Sequence, residues 1–112
     1  MAELRRVGDE VEVRLSTLEK IAGMRRDFRV PVSAVTDVAV IDQPMAAVTG
    51  VRAPGAHVPG RVKIGTWRGR DGKTFASARA GVPAVRVDLV GQPFRQLVIS
   101  VPDAKTVADR IR

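Results

Sequence analysis

The segment Gly60–Arg79, GRVKIGTWRGRDGKTFASAR, decides how the rest of the chain is read. Two runs suited to a sheet flank Arg70-Asp71-Gly72. An Asp-Gly pair between such runs signals a hairpin, because Gly accepts the positive φ that tight turns need. In extended form Arg61, Lys63, Gly65 and Trp67 share one face, and Val62, Ile64 and Thr66 share the other. Beyond the turn, Lys73, Phe75, Ser77 and Arg79 alternate with Thr74, Ala76 and Ala78. The segment holds the single Trp and one of the three Phe of the chain. Arg61, Lys63, Arg68, Arg70, Lys73 and Arg79 face only Asp71 there, a net +5 of the chain's +7. If Trp67 meets Phe75 across the strands, these cations flank an aromatic pair. Such a patch holds an anion by charge-assisted hydrogen bonds and an apolar group by stacking. Arg61, Lys63, Trp67, Arg68, Arg70, Lys73 and Arg79 are therefore the candidate binding residues. In the competing reading both rings fill the core and the Arg stems reach past them into water.

Composition bounds the class. A chain of 112 residues with 45% hydrophobic and 28% charged residues is one globular domain with a single core. Aromatics are only 4%, so Val, Ile, Leu and Ala must supply that core, and Val favours strands. The absence of Cys excludes disulfides and thiolate metal sites and fits a reducing compartment. The start, MAELRRVGDEVEV, has no apolar h-region, and no apolar run approaches the roughly 18 to 20 residues that span a bilayer. A cytoplasmic protein without a transmembrane segment is expected. The isoelectric point near 11.2 points to an anionic partner: nucleic acid, anionic lipid or an acidic protein. The excess of Arg over Lys also arises in Arg-rich bacterial proteomes whatever the function.

Residues 1–8 read as a flexible lead and 9–112 as the domain. Residues 10–16 alternate, with Val11, Val13 and Leu15 opposite Glu10, Glu12 and Arg14, which predicts a half-buried strand. Ser16-Thr17-Leu18-Glu19 matches a capping box and predicts a short helix to about Arg25, with Leu18, Ile21 and Ala22 inward. Residues 27–32 form an edge strand marked by Pro31, and residues 35–42 another strand. Residues 43–60, punctuated by Pro44, Gly50, Pro54, Gly55, Pro59 and Gly60, read as a long wrapping loop with one helical turn near Met45–Val48. After the hairpin come strands at 84–90 and 96–101. A final helix over 104–111 is capped by Asp103, with Ala104, Val107, Ala108 and Ile111 on one stripe and Lys105 facing Asp109.

No motif for catalysis emerges. His57 is the only His, too few for a nucleophile-base pair or a His-rich metal site. Glu10 and Glu12 share a strand face with no opposing acid. Gly72-Lys73-Thr74 imitates the end of a phosphate-binding loop, but Trp67 stands where that loop needs Gly. No Gly-x-Ser-x-Gly elbow occurs. No catalytic residue, metal ligand or cofactor is assigned, and the chain is not expected to be an enzyme.

The total is seven strands followed by one amphipathic helix. With Val30-Pro31-Val32-Ser33-Ala34-Val35 joining early strands and Ile99-Ser100-Val101-Pro102-Asp103 leading into the last helix, the chain resembles small bacterial pleckstrin-homology-like proteins. The resemblance covers residues 9 to 112 and implies a mainly β, seven-stranded barrel or sandwich. A short helix follows its first strand, and a C-terminal helix caps it. It also implies a non-enzymatic binding or scaffolding module for a partner protein or an anionic surface; the alternative is a basic nucleic-acid-binding domain. Lys20, Arg25, Arg26 and Arg29 occupy the region where lipid-binding members carry their spaced cations, without that spacing. The capping-helix Trp of the family is absent. Exposed edge strands would allow a homo-oligomer.

Overall fold

The hairpin that organised the reading is present. Residues 62–69 and 72–79 pair antiparallel from Val62↔Arg79 to Gly69↔Gly72, leaving Arg70-Asp71 as a two-residue turn. The computed structural model describes residues 1–112, the side chain of Ala53 excepted. In chain order the elements are β1 Glu3–Val7, β2 Glu10–Arg14, α1 Thr17–Gly23, β3 Phe28–Pro31, a 3-10 turn Val32–Ala34, β4 Val35–Ile41 and α2 Pro44–Ala47. They continue with β5 Val51–Val58, β6 Val62–Gly69, β7 Gly72–Arg79, β8 Ala84–Leu89, β9 Gln96–Ser100 and α3 Ala104–Ile111. The strands form a three-stranded sheet, β1-β2-β3, and a six-stranded sheet, β4-β8-β9-β7-β6-β5. Only β7 and β9 run parallel.

The expected seven-stranded barrel is thus corrected to nine strands in two sheets that do not close into a barrel. Both extra strands come from stretches read as irregular. Residues 1–8 are not a lead: Val7↔Glu10 pairing makes Gly8-Asp9 a second two-residue turn, with Gly8 at φ +59. Ala2 and Leu4, two apart, are buried on the inner face of the sheet. The 43–60 loop is instead α2 and β5. Pro54 is tolerated in β5 because that strand lies at a sheet edge, and the register shifts between Arg52 and Gly55.

That irregularity makes Gly65 obligatory. Gly65 has φ +126, and a Cβ there would lie 2.5 Å from the Pro54 carbonyl oxygen and 2.6 Å from Gly55 Cα. Gly65→Ala is expected to cost about 3 kcal/mol, measurable as a fall in the urea midpoint with little change in slope.

The sheets enclose one core face to face. Val11, Val13 and Val30 from the small sheet meet Phe75, Val85, Val87, Leu97 and Ile99 from the inner face of the large one. Helix α3 has the expected bounds and adds Ala104, Val107, Ala108 and Ile111 to that core. Asp103 stands at its N-cap position but makes no side-chain capping bond, and Asp109 pairs with Arg112 at 2.7 Å rather than with Lys105. The outer face of the large sheet carries a second cluster, in which Trp67, Ala76, Ala78, Ala84 and Val98 pack with Val48 and Met45 around α2.

Helix α1 is seated opposite to expectation. The capping box forms: Ser16 Oγ accepts from Glu19 N at 3.2 Å, and Glu19 Oε1 accepts from Ser16 N at 3.1 Å. Yet Glu19 and Gly23 are the buried residues, while Leu18 and Ile21 face solvent. Gly23 lies over Gly65, where a Cβ would already stand 3.4 Å from Gly65 Cα. This close backbone approach lets α1 rest on β6 through its smallest residue.

Candidate functional site

The predicted aromatic pair does not form. Register places Trp67 opposite Thr74 and Phe75 opposite Thr66, so Trp67 and Phe75 lie on opposite faces of the sheet. Trp67 is 3% exposed and belongs to the outer-face cluster. The candidate cations also divide. Arg61 and Arg79 sit at the open end of the hairpin, about 23 Å of strand from the turn that carries Arg70. Lys63 donates to the carbonyls of Met45 at 2.9 Å and Val48 at 2.6 Å, which fixes the end of α2. Arg79 lies 3.8 Å from Glu19. Register therefore sets Arg68 across from Lys73, with Arg70 in the turn beyond them, and leaves Arg61, Lys63, Trp67 and Arg79 outside that group.

What joins these three is a cluster built from other elements. All three Phe residues converge: Phe28 and Phe75 have ring centroids 5.2 Å apart, Phe28 and Phe94 5.7 Å, and Phe75 and Phe94 5.6 Å. The Arg25 guanidinium lies 4.6 Å from the centroids of both Phe28 and Phe94. Lys73 Nζ lies 5.4 Å from Phe94. Arg95 follows Phe94 and runs along Gly72: a Cβ on Gly72 would meet Arg95 Cδ at 3.4 Å. The Arg95 N–H donates to the Lys73 carbonyl at 2.9 Å, and Arg68 stands directly across from Lys73.

The end of α1 aims Arg25. Met24 adopts the left-handed conformation, φ 52, and Arg25 N donates to the Lys20 carbonyl at 3.0 Å while Met24 N reaches Ile21 O at 3.3 Å. This is the six-to-one and five-to-two pattern of a Schellman ending, with Met where Gly is usual. Arg25 comes straight out of that turn onto the rings.

Electrostatically the cluster is one-sided. Among the described residues, no carboxylate comes within 4 Å of Arg25, Arg68, Arg70, Lys73 or Arg95 in an ion pair. The Nε atoms of Arg25 and Arg95 are buried without a hydrogen-bond partner. Burial lowers the pKa of the Arg25 guanidinium from its ordinary value, and no acid offsets it. Arg nonetheless stays charged at any physiological pH. The arrangement offers donors and positive potential to an anion. Arg25, Phe28, Phe94 and Arg95 were outside the sequence-derived set. The available signal was the scarcity of Phe: with only three in the chain, their meeting point marks the centre of the aromatic cluster.

A separate charged group sits beneath α1. Glu19, 0% exposed, accepts a hydrogen bond from the Ser77 hydroxyl and from Ser16 N, and lies 3.9 Å from the Met1 amino group. Burial alone would raise its pKa. The bonds from Ser77 and Ser16, with the amino-terminal charge, outweigh burial and hold the carboxyl below its ordinary value. The role of this group is to hold α1 in place. A concavity of about 570 Å³ lies elsewhere, between β1 and α3, and its charged side chains are balanced, Glu3 and Asp103 against Arg5 and Arg110. His57 on β5 pairs in register with Lys63 on β6, and no group of three His, Cys, Asp or Glu gathers among the described residues. No described helix is long and apolar enough to cross a membrane.

A scan against protein-family models and searches of curated proteins and of solved structures find no match to this chain.

Proposed function

We propose that the chain is a non-catalytic binding module that holds an anionic partner at the cluster of Arg25, Arg68, Arg70, Lys73 and Arg95 around Phe94. The observation that carries this reading is the Arg25 guanidinium lying 4.6 Å from two ring centroids with no acid beside it. A cation half-withdrawn from water and unpaired gains more from an incoming anion than a fully solvated one does. The rings fix its position, so little side-chain freedom is lost on binding. The succession of strands ending in a helix packed on the sheet supports a pleckstrin-homology-like module, a likeness of element order rather than of site. Single-stranded nucleic acid is the weaker alternative, because Phe75 and Phe94 are buried and present no free stacking face.

The test compares two triple variants that remove equal charge. In one, Arg68, Lys73 and Arg95 become Ala; in the other, Arg5, Lys105 and Arg110, all exposed and remote, become Ala. Capture from native lysate, scored for proteins, lipids and nucleic acids, is expected to fall about tenfold or more for the first and little for the second. Equal losses would reduce the interaction to generic charge and reject the site.

A further inference from the structure

We infer that β1 pairs antiparallel with β1 of a second copy of this chain, joining the two small sheets into one across a two-fold axis at Leu4. This is independent of the anion site, none of whose residues lies on β1. Strands β1, β3, β4 and β5 end the two sheets. Three of them carry devices that discourage pairing. Strand β3 stops at the exposed Pro31. Strand β5 contains Pro54 and an irregular register. Strand β4 has a register shift between Val35 and Asp37, and Arg112 Nη2 donates to its Val38 carbonyl at 3.2 Å. Strand β1 has a regular register and no Pro, and among the described residues its backbone bonds to no element but β2. Val32 N donates to the Asp9 carbonyl, so alternation commits Val11 and Val13 to β3 and leaves Glu10, Glu12 and Arg14 to bond β1. Their partners Val7, Arg5 and Glu3 are thereby used. Ala2, Leu4 and Arg6 turn their N–H and C=O groups to the open edge. A concavity of about 570 Å³ beside residues 1–5 leaves room for a strand there.

The side chains select both the occupant and the register. The outward row along β1, continued back to its lead-in, is Met1, Glu3, Arg5 and Val7: apolar, acid, base, apolar. Set antiparallel with Leu4 opposite Leu4 of the second copy, each Glu3 meets an Arg5 and each Met1 meets a Val7. Moving the centre to Glu3 or to Arg5 sets like charges directly opposite, which is unfavourable. The register centred on Leu4 also joins Leu4 to Leu4, and Ala2 to Arg6, through their free backbone groups. Both charges are available. Glu3 and Arg5 stand opposite Arg14 and Glu12 in register, yet among the described residues neither forms an ion pair, and Arg14 and Glu12 lie 3.6 Å from each other. Met1 and Val7 are 48% and 39% exposed. A strand that complements itself in this order fits an interface in which the same patch serves both copies.

Sedimentation equilibrium of the full chain at physiological salt is expected to give twice the 12.1 kDa of one chain at about 0.1 mM, a concentration that populates even a weak interface. A monomer at that concentration overturns the pairing. Disulfides report the register, since the chain has no Cys. Glu3→Cys and Arg5→Cys, both at exposed positions, are oxidised separately and as a mixture. Pairing about Leu4 puts position 3 of one copy opposite position 5 of the other, in a pair without mutual backbone bonds whose Cα atoms approach to about 4.5 Å. Like positions are offset by two residues and lie beyond the roughly 7 Å that a disulfide spans. The mixture is therefore expected to cross-link about tenfold faster than either variant alone, or more. Equal rates in all three samples, or no cross-link in any, assign the dimer to another surface and overturn the proposal. Arg6→Pro removes an edge N–H without removing a bond to β2, and it is expected to be monomeric. A folded Arg6→Pro that still sediments as a dimer excludes β1 as the interface; should that variant fail to fold, the cysteine pair decides alone.

Discussion

Glu19→Ala is expected to lower the free energy of unfolding by about 3 to 5 kcal/mol, the range for removing one partner of a buried ionic group. Two effects combine. The capping box loses one of its arms, since Ser16 N then has no side-chain acceptor. The Ser77 hydroxyl, 0% exposed, and the half-buried Arg79 lose the carboxylate they face. At about 4 °C per kcal/mol for a domain of this size, the melting temperature should drop by more than about 10 °C. Glu19→Gln keeps an acceptor and should cost less. The pH dependence follows in sign. The folded-state pKa lies below the ordinary glutamate value of 4.5, so the stabilisation from ionisation is fully present above 4.5. It is lost as pH falls through the folded value, where the chain must bind a proton in both states. Thermal melts of the wild type should therefore lose stability below about pH 4.5 more steeply than melts of Glu19→Gln.

Trp67→Ala is expected to cost about 3 to 5 kcal/mol, as for other buried large-to-small aromatic changes. The indole is 3% exposed, and its neighbours Ala76, Ala78 and Ala84 are too small to fill the space it leaves. Its functional consequence separates it from the cations. Trp67 and the Phe28–Phe75–Phe94 group lie on opposite faces of the large sheet, so the folded fraction of Trp67→Ala should bind anions with unchanged affinity. Chemical denaturation combined with binding at low temperature checks both statements. Loss of affinity in the folded fraction would return Trp67 to the site.

Much of the fold was legible where periodicity is strong. The hairpin around Arg70-Asp71, the strand read at 84–90 and found at Ala84–Leu89, the capping box at Ser16–Glu19 and the stripe of residues 104–111 all form. Strand β1 was missed although Gly8-Asp9 is itself a two-residue turn signal, because the charged residues Glu3, Arg5 and Arg6, the last on the same face as Leu4, outweigh Ala2 and Leu4 in a short window. Strand β5 was missed because Pro54 and Gly55 look like loop residues. They are compatible with a strand only at an irregular edge, and edge position is a property of topology. The seating of α1 was misread for a related reason. A stripe of Leu18 and Ile21 predicts burial, but Gly23 against Gly65 and Glu19 against Ser77 fix the helix the other way round.

The site was legible only in part. Arg68, Arg70 and Lys73 belong to the segment whose charge stood out, and they remain together. Lys63 and Arg79 lie toward the far end of the same two strands and Arg61 just before them, beyond reach, since a strand carries residues apart by about 3.3 Å each. Arg25 and Arg95 join the cluster through α1 and the turn before β9, contacts that no local pattern announces.

The most direct measurement follows the arginine Nε–H resonances of the full chain during titration with inorganic phosphate. Saturable shifts confined to Arg25, Arg68, Arg70 and Arg95, with Arg110 and Arg112 unmoved, are expected if the cluster around Phe94 is the anion site. Small shifts spread evenly over the arginines, with Arg25 and Arg95 no different from the rest, would contradict it.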